Sequence, residues 1–116
     1  SELIKKYPGS ELKDYSGCLI TPGFIDTHLH VTQTGVVAAY GEKLLEWLNN
    51  YVFPRESIYN DPDSARKDIN FFLDQLLKNG TTTACGFGPL KFEAADILFQ
   101  EQEKFQIFLI RQTQMR

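Results

Sequence analysis

Apolar and polar positions divide the chain into strand-like and helix-like stretches that follow one another in turn. Phe24 and Ile25 open a run, Phe24-Ile25-Asp26-Thr27-His28-Leu29-His30, that reads as a short buried strand set off by the turn signal Pro22-Gly23. Cys18-Leu19-Ile20 reads as a shorter strand ahead of that turn. Residues 31–41 carry Thr-Gly and Tyr-Gly punctuation and read as a loop, with a short helical stretch around Val36 to Tyr40. From Glu42 to Asn50 the spacing of Leu44, Leu45 and Leu48, beside Trp47, predicts a helix whose extent Pro54 limits.

The clearest helix follows. Asp61 is a natural N-cap, Pro62 a natural first residue, and Asp63 suits the positive end of the helix dipole. Ala65, Ile69, Phe72, Leu73, Leu76 and Leu77 recur along one face, and Gly80 marks the stop. Thr81 to Phe87 then reads as a second strand, β-branched at its start. Ala94, Ala95, Ile97, Leu98 and Phe99 predict a helix over Lys91 to Lys104, and Phe105 to Ile110 a third strand, before a polar tail from Gln112 to Arg116. Strand, helix, strand, helix, strand is an α/β order with crossovers long enough for parallel pairing. It suits half of a doubly wound sheet or the first part of a (β/α)₈ barrel. A barrel takes about 250 residues, so this length does not close one.

Composition narrows the class. The 116 residues hold at most one domain, and 15 acidic against 12 basic residues give a net charge of −3. With no stripe of Lys and Arg, nucleic-acid binding has no electrostatic support. No apolar run approaches the roughly 20 residues of a membrane helix, and the charged stretch from Ser1 to Tyr7 is no secretory signal. Ser1 to Tyr15 is polar, with a turn at Pro8-Gly9-Ser10, and reads as surface or edge strand. Cys18 and Cys85, far apart and without metal-site spacing, read as buried reduced thiols of a cytoplasmic protein.

The candidate chemistry lies at the end of the first strand. Residues two apart on a strand share a face, so His28 and His30 point together while Leu29 points into packing. Two neutral imidazoles converging on one point are half of a zinc site, and the end of a parallel strand is where such folds build active sites. The bland alternative is a pair of hydrogen-bonded histidines on a wet face. Zinc needs at least three protein ligands, and these are the only histidines in the chain. Asp26 projects to the same face on strict alternation and reads as a supporting carboxylate rather than a ligand. Glu93, Asp96 and Glu101 fall on a helix and read as a solvated face. Nucleobase deaminases with an HxE…PCxxC zinc site are excluded, because position 30 is His and no PCxxC occurs.

Pro22-Gly23-Phe24-Ile25-Asp26-Thr27-His28-Leu29-His30 is similar to the first-strand motif of the amidohydrolase superfamily, metal-dependent hydrolases on a (β/α)₈ barrel. Val31-Thr32-Gln33-Thr34, the block from Ala39 to Pro54 and Lys78-Asn79-Gly80-Thr81-Thr82-Thr83-Ala84 resemble its guanine deaminase branch. The resemblance runs from about Cys18 to about Phe105. It implies a partial TIM barrel: residues 1–20 as the β segment of a small flanking domain, and residues 21–116 as the first β/α units. It further implies zinc-dependent hydrolysis of guanine to xanthine and ammonia, with His28 and His30 as metal ligands and Gln33 as a guanine contact. In the family the proton-shuttling carboxylate, the later His ligands and a metal-binding Asp come from strands beyond these residues. Trp47 matches a family aromatic but reads as core.

The third strand begins and then turns polar, so the chain reads as the N-terminal piece of a deaminase. One alternative is a non-catalytic truncated chain that binds zinc, forms a homo-oligomer or pairs with a full-length subunit through its incomplete barrel wall. Another is a different amidohydrolase substrate, such as a triazine, a hydantoin or another purine. Gln33 and the Leu44-Leu45-Glu46-Trp47-Leu48 block stand against that one.

Overall fold

Asp61 takes an extended backbone (φ −101°, ψ 118°), and its side chain accepts from the Ser64 N–H at 2.9 Å. A helix starts at the next residue, Pro62, whose missing N–H is one the first turn does not need. It ends at Lys78, and Gly80 turns the chain at φ +80°, a conformation that costs glycine nothing. The computed structural model describes residues 2–112, with side chains as far as Ile110. Its elements are helix α1 (Glu2–Lys6), strand β1 (Phe24–His30), a 3₁₀ turn (Val31–Val36), helical turns α2 (Leu44–Trp47) and α3 (Phe53–Glu56), a second 3₁₀ turn (Ser57–Asn60), helix α4 (Pro62–Lys78), strand β2 (Thr81–Phe87), helix α5 (Phe92–Phe105) and strand β3 (Phe108–Gln112). A wider π-type turn (Leu48–Val52) joins α2 to α3.

The three strands form one parallel sheet in the order β1-β2-β3. One face is dry. Ala84 and Leu109 from the sheet meet Ile69 and Leu73 of α4, Ala94 and Leu98 of α5, and Val31 beyond the end of β1. Each fully buried Leu or Ile stabilises this core by about 1.5–3 kcal/mol. Leu29 joins the cluster by lying over Gly86, where a Cβ would stand 2.6 Å from the leucine Cδ1, so any other residue at position 86 would have to push Leu29 aside. The opposite face carries Cys85 and Phe87, with Phe108 and Ile110 exposed beside them.

Several expectations are corrected. Residues 2–20 hold the short helix α1 and turns but no strand, at Cys18-Leu19-Ile20 or elsewhere, because no neighbouring strand is there to pair. Phe24 and Ile25 begin β1 as expected but are exposed, since β1 is an edge strand with only β2 beside it. The helical stretch before Pro54 does not stop there, because Pro54 falls in the first turn of α3, where proline is tolerated. Strand β3 starts three residues later than expected. Helix α5 runs on to Phe105, and Gln106 ends it in the left-handed conformation (φ 55°). Thr113 to Arg116, most of the polar tail, lie outside the described residues. Trp47 is half-buried, with its indole N–H donating to the Ala39 carbonyl at 2.9 Å. Both cysteines are unpaired, but Cys18 is exposed and Cys85 half-buried.

Glu101 departs furthest from its sequence reading. It is 2 % exposed, pairs with Arg66 of α4 and accepts from Lys104 Nζ at 2.8 Å. The Lys104 hydrogen bond, against the cost of burial and with help from Arg66, holds its carboxyl below the usual range. The folded state therefore binds fewer protons in acid than the unfolded chain does. The contribution is whole above the ordinary glutamate value and is lost as pH falls through the folded one. Glu101→Gln is expected to cost about 1–3 kcal/mol near neutral pH. Urea unfolding should show that difference narrowing as pH falls below the ordinary glutamate range.

Candidate active site

Strand β1 ends at His30, and the two imidazoles expected to converge do so. Their ring centroids lie 5.4 Å apart in an edge-on arrangement. Phe87 of β2, the residue paired with His30 in the sheet, serves both: its ring stacks on His30 at 4.7 Å and meets His28 edge-on at 5.5 Å. Sequence reasoning placed Phe87 on a strand but had no means of setting it opposite His30, because register between parallel strands is fixed by their packing on the helices.

His28 is exposed and His30 half-buried. Burial, and then the neighbouring charge of His28, hold the His30 imidazole below the ordinary histidine range, with Glu56 pulling weakly the other way. A neutral imidazole is the form that binds a metal. As metal donors the pair fits two positions of a site. Among the described residues no cluster of three or more His, Cys, Asp and Glu could hold an ion, so further donors would come from elsewhere.

Gln33 lies in the 3₁₀ turn directly after β1, and its amide N–H donates to His30 Nδ1 at 3.2 Å. The neutral ring then carries its own proton on Nε2. Offering Nε2 to a metal requires that proton on Nδ1, with Gln33 presenting its carbonyl oxygen instead. Either way one end of the amide holds the imidazole and the other is free for a ligand.

Asp26 does not complete a metal-holding cluster with the two histidines. The sheet register steps from Asp26↔Ala84 to Leu29↔Gly86, three residues of β1 against two of β2, so β1 bulges and strict alternation fails between them. Asp26 Oδ1 accepts from the backbone N–H of His28 at 3.0 Å. Its side chain lines an open groove of about 430 Å³ along the free edge of β1, with His30, Gln33, Phe72, Gln75 and Leu76. A second groove, of about 460 Å³, opens where the chain leaves β1 and β2, between Thr32, Glu56, Tyr59, Asn60 and Lys91. Glu56 was not singled out by sequence, yet Thr32 Oγ1 donates to it at 3.2 Å, and its charge acts on His30.

Residues 19–113 match the amidohydrolase family, and the chain belongs to it. Within that family it is similar to guanine deaminases. The enzyme of Escherichia coli (strain K12) is 48 % identical over 99 residues, which are 85 % of this chain and 23 % of that one. The crystal structure of guanine deaminase from Bradyrhizobium japonicum superposes with a TM-score of 0.84 at 39 % identity, covering 95 % of this chain and 24 % of that one. That of the C. acetobutylicum enzyme, with guanine bound in its active site, gives 0.73 at 35 % identity and covers 78 % and 22 %. The chain thus spans under a quarter of the length of these relatives.

Family and neighbours decide between the two architectures left open: the sheet is the first part of a (β/α)₈ barrel, not half of a doubly wound sheet. The face carrying His28, His30, Phe87, Phe108 and Ile110 is then the inward face of the barrel wall, on which Phe108 and Ile110 are exposed. No helix among the described residues is long and apolar enough to cross a membrane.

Proposed function

We propose that this chain forms the first wall of a zinc-dependent guanine deaminase, with His28 and His30 as two of the metal ligands and Gln33 as a substrate contact. The observation that carries the reading is the meeting of two imidazoles at the carboxyl end of β1, with the Gln33 amide already on one of them. His28 and His30 bind as neutral rings, and the Phe87 ring lies against both. The free end of the Gln33 amide orients a purine edge by hydrogen bonding. The chemistry that zinc supplies when bound is ionisation of a water near neutral pH, for attack on the amino-bearing carbon. The proton for the departing ammonia comes from a carboxylate outside these residues. Residues 1–20 belong to a flanking segment and 21–116 to the barrel. An intracellular setting, where thiols stay reduced, suits the unpaired Cys18 and Cys85.

A second reading concerns assembly. Phe108 and Ile110 are exposed on the inward face, and β1 and β3 are open edges. Apolar wall of this kind is covered by further strands or by a second copy. One preparation tests both readings: zinc per chain after purification without chelator or added metal, then guanine loss and xanthine gain by absorbance. About one zinc per active site with turnover supports the enzyme. Metal-free protein without turnover overturns it, and light scattering then reports the association state of the non-catalytic chain.

A further inference from the structure

The turn that carries Gln33, residues 31–36, is tied to segments far along the chain. Thr32 donates to Glu56, and Tyr59, only 4 % exposed, donates to Asp68 Oδ2 at 2.5 Å. The Tyr59 oxygen also lies 3.4 Å from the carbonyl of Val31. Arg55 donates to the other oxygen of Asp68, and its guanidinium lies so close over Gly35 that a Cβ there would overlap it. A single carboxylate on α4 therefore holds the two side chains that bear on opposite ends of the turn, Tyr59 at Val31 and Arg55 at Gly35.

Elsewhere α4 attaches to the sheet through apolar contacts of Ile69, Phe72 and Leu73. A half-buried ion pair with a buried tyrosine is a dearer attachment than a leucine, because each polar group must leave water. In return it is directional: hydrogen bonds fix a backbone in angle as well as in distance, as a residue that must meet a ligand requires.

We propose that Asp68, acting through Tyr59 and Arg55, is a positioning residue that sets the turn carrying Gln33 against its substrate. It touches neither the metal ligands nor the purine. The inference rests on the deaminase reading for its substrate, but the tie itself is testable without turnover.

The test compares Asp68→Asn and the milder Tyr59→Phe with the parent protein, and uses Glu101→Gln as a control that weakens the α4–α5 contact away from the turn. Hydrogen exchange of the amides of residues 31–36 is expected to speed up about tenfold in Asp68→Asn, while those of β2 stay protected. Zinc content is expected to stay unchanged. KM for guanine should rise about fivefold or more, with kcat within about twofold. Gly35→Ala, which crowds Arg55 from the other side, should give the same split with Asp68 intact. Unchanged exchange over 31–36 in both Asp68→Asn and Tyr59→Phe overturns the tie. A KM rise in Glu101→Gln equal to that in Asp68→Asn reduces it to general stability and overturns it as well. A parent protein without guanine turnover sinks the deaminase reading instead, and the exchange result still decides the tie.

Discussion

On the proposed reading, His30→Ala is expected to abolish zinc binding and to lower kcat/KM for guanine by well over about 10²-fold, the most that loss of even an outer hydrogen-bond partner of a metal ligand costs. Among the described residues, the donors at the end of β1 are His28 and His30, so removing one leaves a single imidazole there. Nothing nearby replaces it. Asp26 is turned toward α4 by the bulge, and Glu56 is engaged by Thr32. The His30 side chain is half-buried, stacks on Phe87 and meets His28 edge-on, so the variant also loses two ring contacts, each worth about 0.5–1.5 kcal/mol. That loss is small enough for the fold to survive. His28→Ala, at an exposed position, should lose metal and yet unfold at almost the same midpoint as the metal-free parent, which separates ligation from folding. Metal analysis and circular dichroism on the same samples check this. Unchanged zinc in both variants would remove the ligand assignment.

Leu73→Ala is expected to be the most damaging core substitution, at about 3–5 kcal/mol. Leu73 is 0 % exposed, on the face of α4 that meets β2 and α5, and it sits in one cluster with Ile69, Ala84, Leu98 and Leu109. Truncation there leaves a cavity with no flexible neighbour to fill it, since those side chains are themselves fixed by packing. Leu77, one turn further on and 40 % exposed, is the comparison, and Leu77→Ala should cost under about 1 kcal/mol. Urea midpoints of the two variants give the contrast directly. Zinc should raise the midpoint of the parent and of Leu73→Ala alike, because a metal held only by the folded state stabilises by mass action whatever the core. A cost near that of Leu77→Ala would mean that α4 is not closed on the sheet.

Both outcomes depend on separate layers of the molecule. The core lies on one face of the sheet and the histidines at the carboxyl end of β1, on the inward side of the wall. Substitutions in α4 and α5 should therefore lower stability with little effect on the histidine pair, and substitutions of the histidines should leave the core packing intact. Asp68 is the exception, an α4 residue whose contacts reach the turn beside the site.

Local chemistry alone determined the elements whose signals lie within a few residues. Asp61, Pro62 and Gly80 bound α4 to within a residue, and the β-branched start at Thr81 places β2, because caps, proline and glycine act through the backbone next to them. The spacing of His28 and His30 was equally legible, since two residues along a strand restore the same face. What lay beyond the sequence were facts about partners. The bulge that turns Asp26 away, the pairing that sets Phe87 on His30, the burial of Glu101 between Arg66 and Lys104, and the reach of Asp68 to the Gln33 turn all depend on which segments meet. The missing strand before residue 20 has the same cause: a strand needs an edge to pair with, and propensity supplies none. Sequence set what each segment can do alone, and only tertiary structure, by choosing neighbours and register, decided which side chains share a site.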